Sequence, residues 1–255
     1  MRLLLISDTH GKLGIINGLA SNVRADAVVH AGDFGFFDHG SFERLFSGDI
    51  TVENLHILHH RQSYHVGPAF VFGLGGNLLP GSKMMQKPIA GGGGKVWSTV
   101  SQYAALVENV ERYAAVTGPR IFVSHVSPGK EPFTEFIGAR TRADFTVSGH
   151  MGAPTCMVWN SFAVTSVEEA EKRLQEGFNA VRKSCLSTAR PDVIRAAESF
   201  EIIGRIPEDT IDLERGVKAP RWYRQMTHIN LPDAHIGYAI MDIVETGTKL
   251  QTFVR

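Results

Sequence analysis

The stretch Met1-Arg2-Leu3-Leu4-Leu5-Ile6-Ser7-Asp8-Thr9-His10 decides the fold of this chain. Its four consecutive apolar residues predict a short buried strand, and Asp8 and His10 follow where that strand ends. Side chains two positions apart on a strand share a face, so a carboxylate and an imidazole can bind one cation there. The pair alone is a common pattern, which equally fits a strand-end turn with a helix cap.

Three later segments repeat this arrangement of an apolar strand followed by a polar ligand type. Segments 27–32, 121–124 and 145–149 lead to Asp33, His125 and His150. Sites in α/β proteins are built at the carboxyl ends of strands, where the loops begin. The four segments together predict an α/β protein whose polar site contains Asp8, His10, Asp33, His125 and His150.

In this order, the motifs Asp-x-His, Gly-Asp, His and Gly-His resemble those of the calcineurin-like metallophosphoesterase family. The resemblance covers about Met1 to Val164. Segments 32–41, 54–58, 72–76, 124–129 and 231–233 further resemble a eukaryotic branch of the family that is familiar from fungi. The resemblance implies a four-layered α/β/β/α sandwich that hydrolyses a phosphomonoester or phosphodiester with metal-activated water.

The resemblance also implies two divalent metal ions and a role for each candidate ligand. Asp8 and His10 would hold the first metal, His125 and His150 the second, and Asp33 would bridge both. Asp33 and His125 are in addition expected to act in catalysis. Manganese, iron and zinc all accept mixed histidine, carboxylate and water ligands, so the sequence leaves the identity of the metals open.

Two departures from the family pattern weaken this expected site. The family normally carries Gly-Asn-His-[Asp/Glu] between Gly-Asp and the lone histidine, but here Gly76-Asn77 is followed by two leucines. Either that segment is deleted near residues 46–50, which the flanking strands favour, or Asn77 is a displaced ligand. In the second departure, the family pattern Gly-His-x-His places a ligand at position 152, where this chain has glycine.

The ligand count sets the expected activity. Each metal keeps two ligands of its own and shares Asp33, and water can complete the shells of hard divalent cations. The missing loop histidine removes a proton donor that contributes about 10²–10⁴-fold. We therefore expect a hydrolase with weakened activity; the alternative is a catalytically impaired relative that serves as a binding or scaffold protein.

Length and composition predict one domain. The 255 residues are 43% hydrophobic and 20% charged, with zero formal net charge. We expect a metal-site core at 1–166, a helical insertion at 167–235 and a β-hairpin at 236–255 that returns to the sheet. The family resemblance implies a phosphate ester as the partner. There is neither a basic run for nucleic acid nor an apolar run long enough for a membrane, so neither of these partners is expected. Two cysteines suit a reducing compartment, so the cytoplasm or nucleus is expected, and the oligomeric state stays open.

Residue periodicity predicts the secondary structure in more detail. Helices are expected at 11–22, 41–46, 98–116, 167–184 and 192–203. Strands are expected at 3–6, 27–31, 55–58, 64–66, 69–73, 121–124, 145–148, 157–159, 162–164, 236–244 and 250–254. Segment 80–94 reads as a long loop. Arg140 and Arg142 precede the His150 strand, and one interpretation has them contact a phosphate.

Overall fold

The computed structural model of this protein describes residues 1–35, 53–78, 90–91, 95–150, 152, 154–163, 165–187, 190–212 and 218–255. In those residues the helices are α1 (Gly14–Val23), α2 (Val100–Glu111), α3 (Pro132–Arg140), α4 (Val167–Leu186), α5 (Arg190–Ile203) and α6 (Arg221–Gln225). The strands are β1 (Arg2–Ile6), β2 (Ala27–His30), β3 (Ser63–Val66), β4 (Ala69–Leu74), β5 (Asn77–Leu78), β6 (Ala90–Gly91), β7 (Lys95–Ser98), β8 (Arg120–Val126), β9 (Phe145–Gly149), β10 (Met157–Trp159), β11 (Thr210–Asp212), β12 (Lys218–Pro220), β13 (Thr227–Asn230), β14 (Gly237–Val244) and β15 (Gly247–Val254).

Two sheets carry the fold, which is of the mixed α/β class. The first has the order β15-β14-β1-β2, with β1 parallel to β2 and antiparallel to β14. The second has the order β10-β13-β9-β8-β4-β3, in which β13, β9, β8 and β4 are parallel and the outer strands β10 and β3 are antiparallel. Two smaller sheets have the orders β11-β12 and β5-β7-β6. The parallel strands of each large sheet therefore end at a common edge, where polar loop residues can meet.

Apolar side chains cover both faces of these two sheets. In β1, Leu3 and Leu5 belong to a cluster that also contains Val71 of β4 and Ile121 of β8, so this cluster joins the two sheets. The alternate residues of β1 pack with α1 on the opposite face. Phe70 and Phe72 of β4 and Phe122 of β8 pack with apolar residues of α2 to α5. This alternation follows from the two-residue period of a strand.

Capping residues precede two of the helices that pack on the second sheet. Thr99 precedes α2, and its side chain accepts the backbone N–H of Gln102 while the side chain of Gln102 accepts the backbone N–H of Thr99. Ser166 precedes α4 and accepts the backbone N–H of Glu169 at 3.2 Å. Such caps satisfy N–H groups that have no partner inside the helix. They fix where α2 and α4 begin.

Most of the predicted elements are confirmed, and two are wrong. The predicted strand at 55–58 pairs with no strand among the residues that the structure describes. The predicted strand at 162–164 is instead a turn where the structure describes it, because Phe162 is fully buried with its ring 4.9 Å from that of Trp222. β10 pairs with β13 in place of the expected hairpin. The predicted helix at 41–46 lies outside the described residues, and so does nearly all of the predicted loop at 80–94.

Candidate metal centre

The structure brings the five predicted site residues together at the carboxyl ends of parallel strands. Asp8 and His10 follow β1, and Asp33 follows β2, which is parallel to β1. His125 lies near the end of β8, where the pairing with β9 is irregular, and His150 follows β9 directly. The topology of the two sheets thus produces the convergence that the sequence motifs predict.

The five side chains form two groups of three that share Asp33. One group is Asp8, His10 and Asp33, the other is Asp33, His125 and His150, and in each the candidate ligand atoms lie within 4.8 Å of one another. Asp33 Oδ2 lies 3.9 Å from His10 Nδ1, and Asp33 Oδ1 lies 3.7 Å from His125 Nε2. The two oxygens of one carboxylate therefore face different groups.

Four of these residues have a left-handed backbone. The φ angles are 52° at Asp8, 48° at His10, 45° at Asp33 and 63° at His150. Residues other than glycine rarely adopt positive φ, although Asp, Asn and His do so more often than most. Such strain persists where the surrounding structure holds it in place, and it is concentrated at functional sites. The backbone is therefore strained at most of the candidate ligands.

Two glycines allow the candidate ligands to approach the backbone closely. A Cβ atom at Gly32 would overlap the imidazole of His125, and Gly32 has φ +115°. A Cβ at Gly149 would overlap the side chains of Ser7 and Asp8. The Gly-Asp and Gly-His motifs thus need glycine because the ligand side chains pack directly on the backbone that precedes Asp33 and His150.

Replacing Gly32 with alanine tests this close packing. We expect Gly32→Ala to lower the free energy of unfolding by about 1–2 kcal/mol, since the new Cβ strains the backbone and displaces His125. Gly18→Ala is the matched control: Gly18 is exposed within α1 with open space at its Cβ, so alanine there should raise stability by about 0.5–1 kcal/mol. Denaturant unfolding measures both, and an unchanged midpoint for Gly32→Ala would contradict the packing argument.

A backbone carbonyl fixes the orientation of His125. His125 Nδ1 lies 3.1 Å from the carbonyl oxygen of Ala31. Because a carbonyl oxygen only accepts, Nδ1 carries the proton and donates it, which leaves the lone pair on Nε2. Nε2 is the atom that faces Asp33. Metal-binding histidines commonly have their second nitrogen fixed in this way.

His30 and Thr9 connect the two loops that carry the first group. Burial lowers the pKa of His30 to about 4, so its imidazole is neutral at pH 7. The backbone N–H of Gly32 donates to His30 Nδ1 at 3.3 Å, so Nε2 carries the proton and donates to Thr9 Oγ1 at 3.0 Å. The Thr9 hydroxyl then donates to the carbonyl of Phe34 at 3.0 Å. The donor and the acceptor of each of these three hydrogen bonds are thus assigned.

The donor set fits a divalent cation. Asp8 is only 4% exposed and accepts the backbone N–H of His150 at 3.1 Å. Within the described ranges, no lysine or arginine forms an ion pair with Asp8 or Asp33. A buried carboxylate is costly without a compensating positive charge. Burial, followed by the charge of nearby His125, lowers the pKa of His150 and favours the neutral imidazole that metals bind. These Asp and His groups could hold a metal ion.

The two departures from the family pattern have different surroundings. Asn77 lies in β5, and its amide oxygen is buried without a hydrogen-bond partner in the part of the chain that the structure describes. Both interpretations of Asn77, a displaced ligand or a residue outside the centre, stay predictions. Gly152 is exposed, with φ +57° and open space around it. The proposed deletion near 46–50 lies outside the described residues.

The structure separates Arg140 and Arg142 from the candidate ligands. Both precede β9, whereas His150 follows it, and five strand residues span about 16 Å. The guanidinium group of Arg140 donates to the carbonyl of Ile203 and to Glu111, and that of Arg142 donates to Asp209. The interpretation of Arg140 and Arg142 as phosphate contacts of this centre is wrong. Their hydrogen bonds hold both guanidinium groups near the start of β9, whereas His150 follows its end.

Sequence reasoning did not assign three polar residues near the centre: Thr9, His30 and Asp233. Asp233 Oδ2 lies 3.7 Å from His10 Nε2. It follows β13, which is parallel to β9 and so ends at the same edge as the strand of His150. The run His228-Ile229-Asn230-Leu231-Pro232-Asp233 has the same pattern of a strand followed by an acid, so the signal that found Asp33 could have found Asp233.

Comparisons with known proteins do not assign a family. No family model matches this chain, and no curated protein matches it. One protein of known crystal structure superposes on it with a TM-score of 0.49 and 9% sequence identity, over 99% of this chain and 98% of the other. In the described residues, no helix is long and apolar enough to cross a bilayer.

Proposed function

We propose that this protein is a divalent-metal-dependent phosphoesterase that hydrolyses a phosphomonoester or a phosphodiester. The observation that carries the proposal is the position of Asp33, whose two carboxylate oxygens face two separate groups of Asp and His side chains. A shared carboxylate between two such groups is the arrangement expected of a two-metal site that acts on phosphate. The ordered motifs that resemble the metallophosphoesterase family support the same assignment.

The proposal includes the family's four-layered α/β/β/α arrangement. Its support is the distribution of apolar side chains: one cluster joins the two large sheets, the first sheet packs α1 on its other face, and the second sheet packs α2 to α5 on its other face. In this arrangement the carboxyl ends of β1, β2, β8 and β9 meet at one edge of the paired sheets. That edge is open enough for a substrate, since the side chain of Asp33 is 42% exposed.

The residues of the chain would bind and orient the reacting groups. Asp8 and His10 would hold one cation, His125 and His150 would hold the other, and Asp33 would hold both. When bound, divalent cations supply an activated water and neutralise charge on the phosphoryl group. No histidine corresponding to that of the family's Gly-Asn-His-[Asp/Glu] motif follows Asn77, so we expect slow release of poor leaving groups.

Metal content and phosphate-ester hydrolysis test the proposal together. Purified protein should bind two equivalents of manganese, iron or zinc, and should release nitrophenol from bis-nitrophenyl phosphate or nitrophenyl phosphate. A chelator should abolish the release, and the metal should restore it. Arg142→Gln is a suitable control. Arg142 precedes β9, whereas His150 follows it, so the substitution should leave hydrolysis unchanged. Protein that stays folded but takes up no metal would contradict the proposal and favour a binding or scaffold role.

A further inference from the structure

Asp233 is held firmly beside the first group of candidate ligands. Its carbonyl oxygen accepts the backbone N–H groups of Ile236 at 2.8 Å and Gly237 at 3.2 Å. Asp233 also forms an isolated parallel bridge with Ser7, directly beside Asp8. The turn between β13 and β14 therefore fixes the Asp233 backbone at the end of β1.

The two ring nitrogens of His10 face two different carboxylates. Nδ1 lies 3.9 Å from Asp33 Oδ2, whereas Nε2 lies 3.7 Å from Asp233 Oδ2. Asp33 belongs to both candidate metal groups, whereas Asp233 belongs to neither of those formed by the described residues. Nδ1 is thus directed at the proposed centre and Nε2 away from it.

We propose that Asp233 is a positioning residue for His10, an inference that rests on the proposed function. Its carboxylate accepts a hydrogen bond from the Nε2–H group, so that the lone pair of His10 stays on Nδ1, which faces Asp33. A small movement of either side chain brings the 3.7 Å separation into hydrogen-bond range. Asp233 then does for His10 what the carbonyl of Ala31 does for His125.

His10 needs such a partner more than His125 does. His125 is buried, whereas the side chain of His10 is 47% exposed. An exposed neutral imidazole can place its proton on either nitrogen and can rotate away from the site, and both lower its affinity for a metal. A carboxylate beside Nε2 removes both alternatives.

The neighbouring residue His235 provides a control, because it lies beside the same carboxylate as His10. His235 Nδ1 lies 3.9 Å from the same Asp233 Oδ2, but His235 is exposed and belongs to neither group. If Asp233 acts through His10, removing His235 should leave metal binding unchanged. If the contact between His235 and Asp233 contributed to the effect, removing His235 should weaken metal binding as well.

Manganese titration of the full chain tests the inference, with paramagnetic resonance to report whether the two ions are paired. The unaltered protein should bind two ions that are magnetically coupled. Asp233→Ala should weaken the binding of one ion by about 10–100-fold and should leave an uncoupled single ion at limiting metal. Asp233→Asn keeps a carbonyl acceptor for Nε2 and should show an intermediate loss. His235→Ala should match the unaltered protein.

A double-mutant cycle separates positioning from a general structural role. In a His10→Ala background, Asp233→Ala should cause no further loss of manganese, because the residue through which it acts is already gone. Additive losses of manganese affinity in the double mutant would overturn the inference. So would Asp233→Ala protein that binds two ions normally, or one whose affinity for both ions falls equally. If the unaltered protein binds none of manganese, iron and zinc, the proposed function is removed, and the positioning role with it.

Discussion

Asp33→Asn should weaken the binding of both metal ions at least about 100-fold and abolish phosphate-ester hydrolysis. Asp33 contributes to both groups of candidate ligands, so its loss affects both at once. Mutating a residue that only orients a metal ligand typically lowers the metal affinity about 10–100-fold. Losing a ligand that both ions share should lower the affinity by at least the upper end of that range. Asparagine accepts the left-handed backbone at position 33, where φ is 45°, so the fold should survive.

Calorimetric titration and thermal unfolding measure this effect. At a free metal concentration of 100 times each dissociation constant, each bound ion should stabilise the unaltered protein by about 2.7 kcal/mol, and Asp33→Asn should lose most of the gain from both ions. His150→Asn is the matched variant: its backbone is also left-handed, but it belongs to one group only, so one metal should remain. Two metals retained by Asp33→Asn would refute the bridging role.

Glu135→Gln should lower the free energy of unfolding by about 2–4 kcal/mol without affecting the metal centre. Glu135 of α3 is 3% exposed and accepts hydrogen bonds from Arg173 of α4 at 3.1 and 3.2 Å and from Ser161. The Nε2 atom of fully buried His228, on β13, lies 3.3 Å from the same carboxylate. Breaking a buried ion pair costs about 3–5 kcal/mol, and we lower this figure because Arg173 is partly exposed and can be solvated.

The pH dependence of unfolding identifies the charge on Glu135 as the cause. Burial alone would raise the pKa of Glu135, but hydrogen bonds from His228 and Ser161 and the charge of Arg173 outweigh it and lower the pKa. The stabilisation is therefore present above pH 4.5, the usual pKa, and is lost as the pH falls through the lower folded-state pKa. The difference in the free energy of unfolding between the unaltered protein and Glu135→Gln should therefore decrease as the pH falls through that range. Exposed Glu171 of α4 supplies the control, since Glu171→Gln should change stability by less than about 0.5 kcal/mol.

The sequence predicts those parts of the fold that depend on local patterns. The terminal hairpin is confirmed because Gly237 to Val244 and Gly247 to Val254 flank a tight turn, and each strand carries its own periodicity. The strands that lead to the five candidate ligands likewise carry short, mainly apolar runs that local sequence reveals. Helix α3 was missed for the opposite reason: every residue from Pro132 to Arg140 is buried, so no polar face marks it as amphipathic.

The remaining features depend on contacts between residues far apart in the chain. β13 was missed because its parallel partner β9 lies about 80 residues earlier, and the position of Asp233 beside His10 follows from that pairing. The proton position on His125 is set by the carbonyl of Ala31, 94 residues away. No local pattern encodes a tautomer or a pairing of this kind, so only the structure provides it.

The hydrogen bonds through His30 and Thr9 have a kinetic consequence. Together with bonds from the N–H groups of Asp8 and His10 to the carbonyls of Gly32 and Asp33, they join the two loops that carry Asp8, His10 and Asp33 through protein groups alone. The entropy of ordering these loops is therefore lost during folding and not during association. Uptake of the cation proposed for Asp8, His10 and Asp33 should follow a single exponential, with a rate that depends on how readily the incoming ion loses its hydration water.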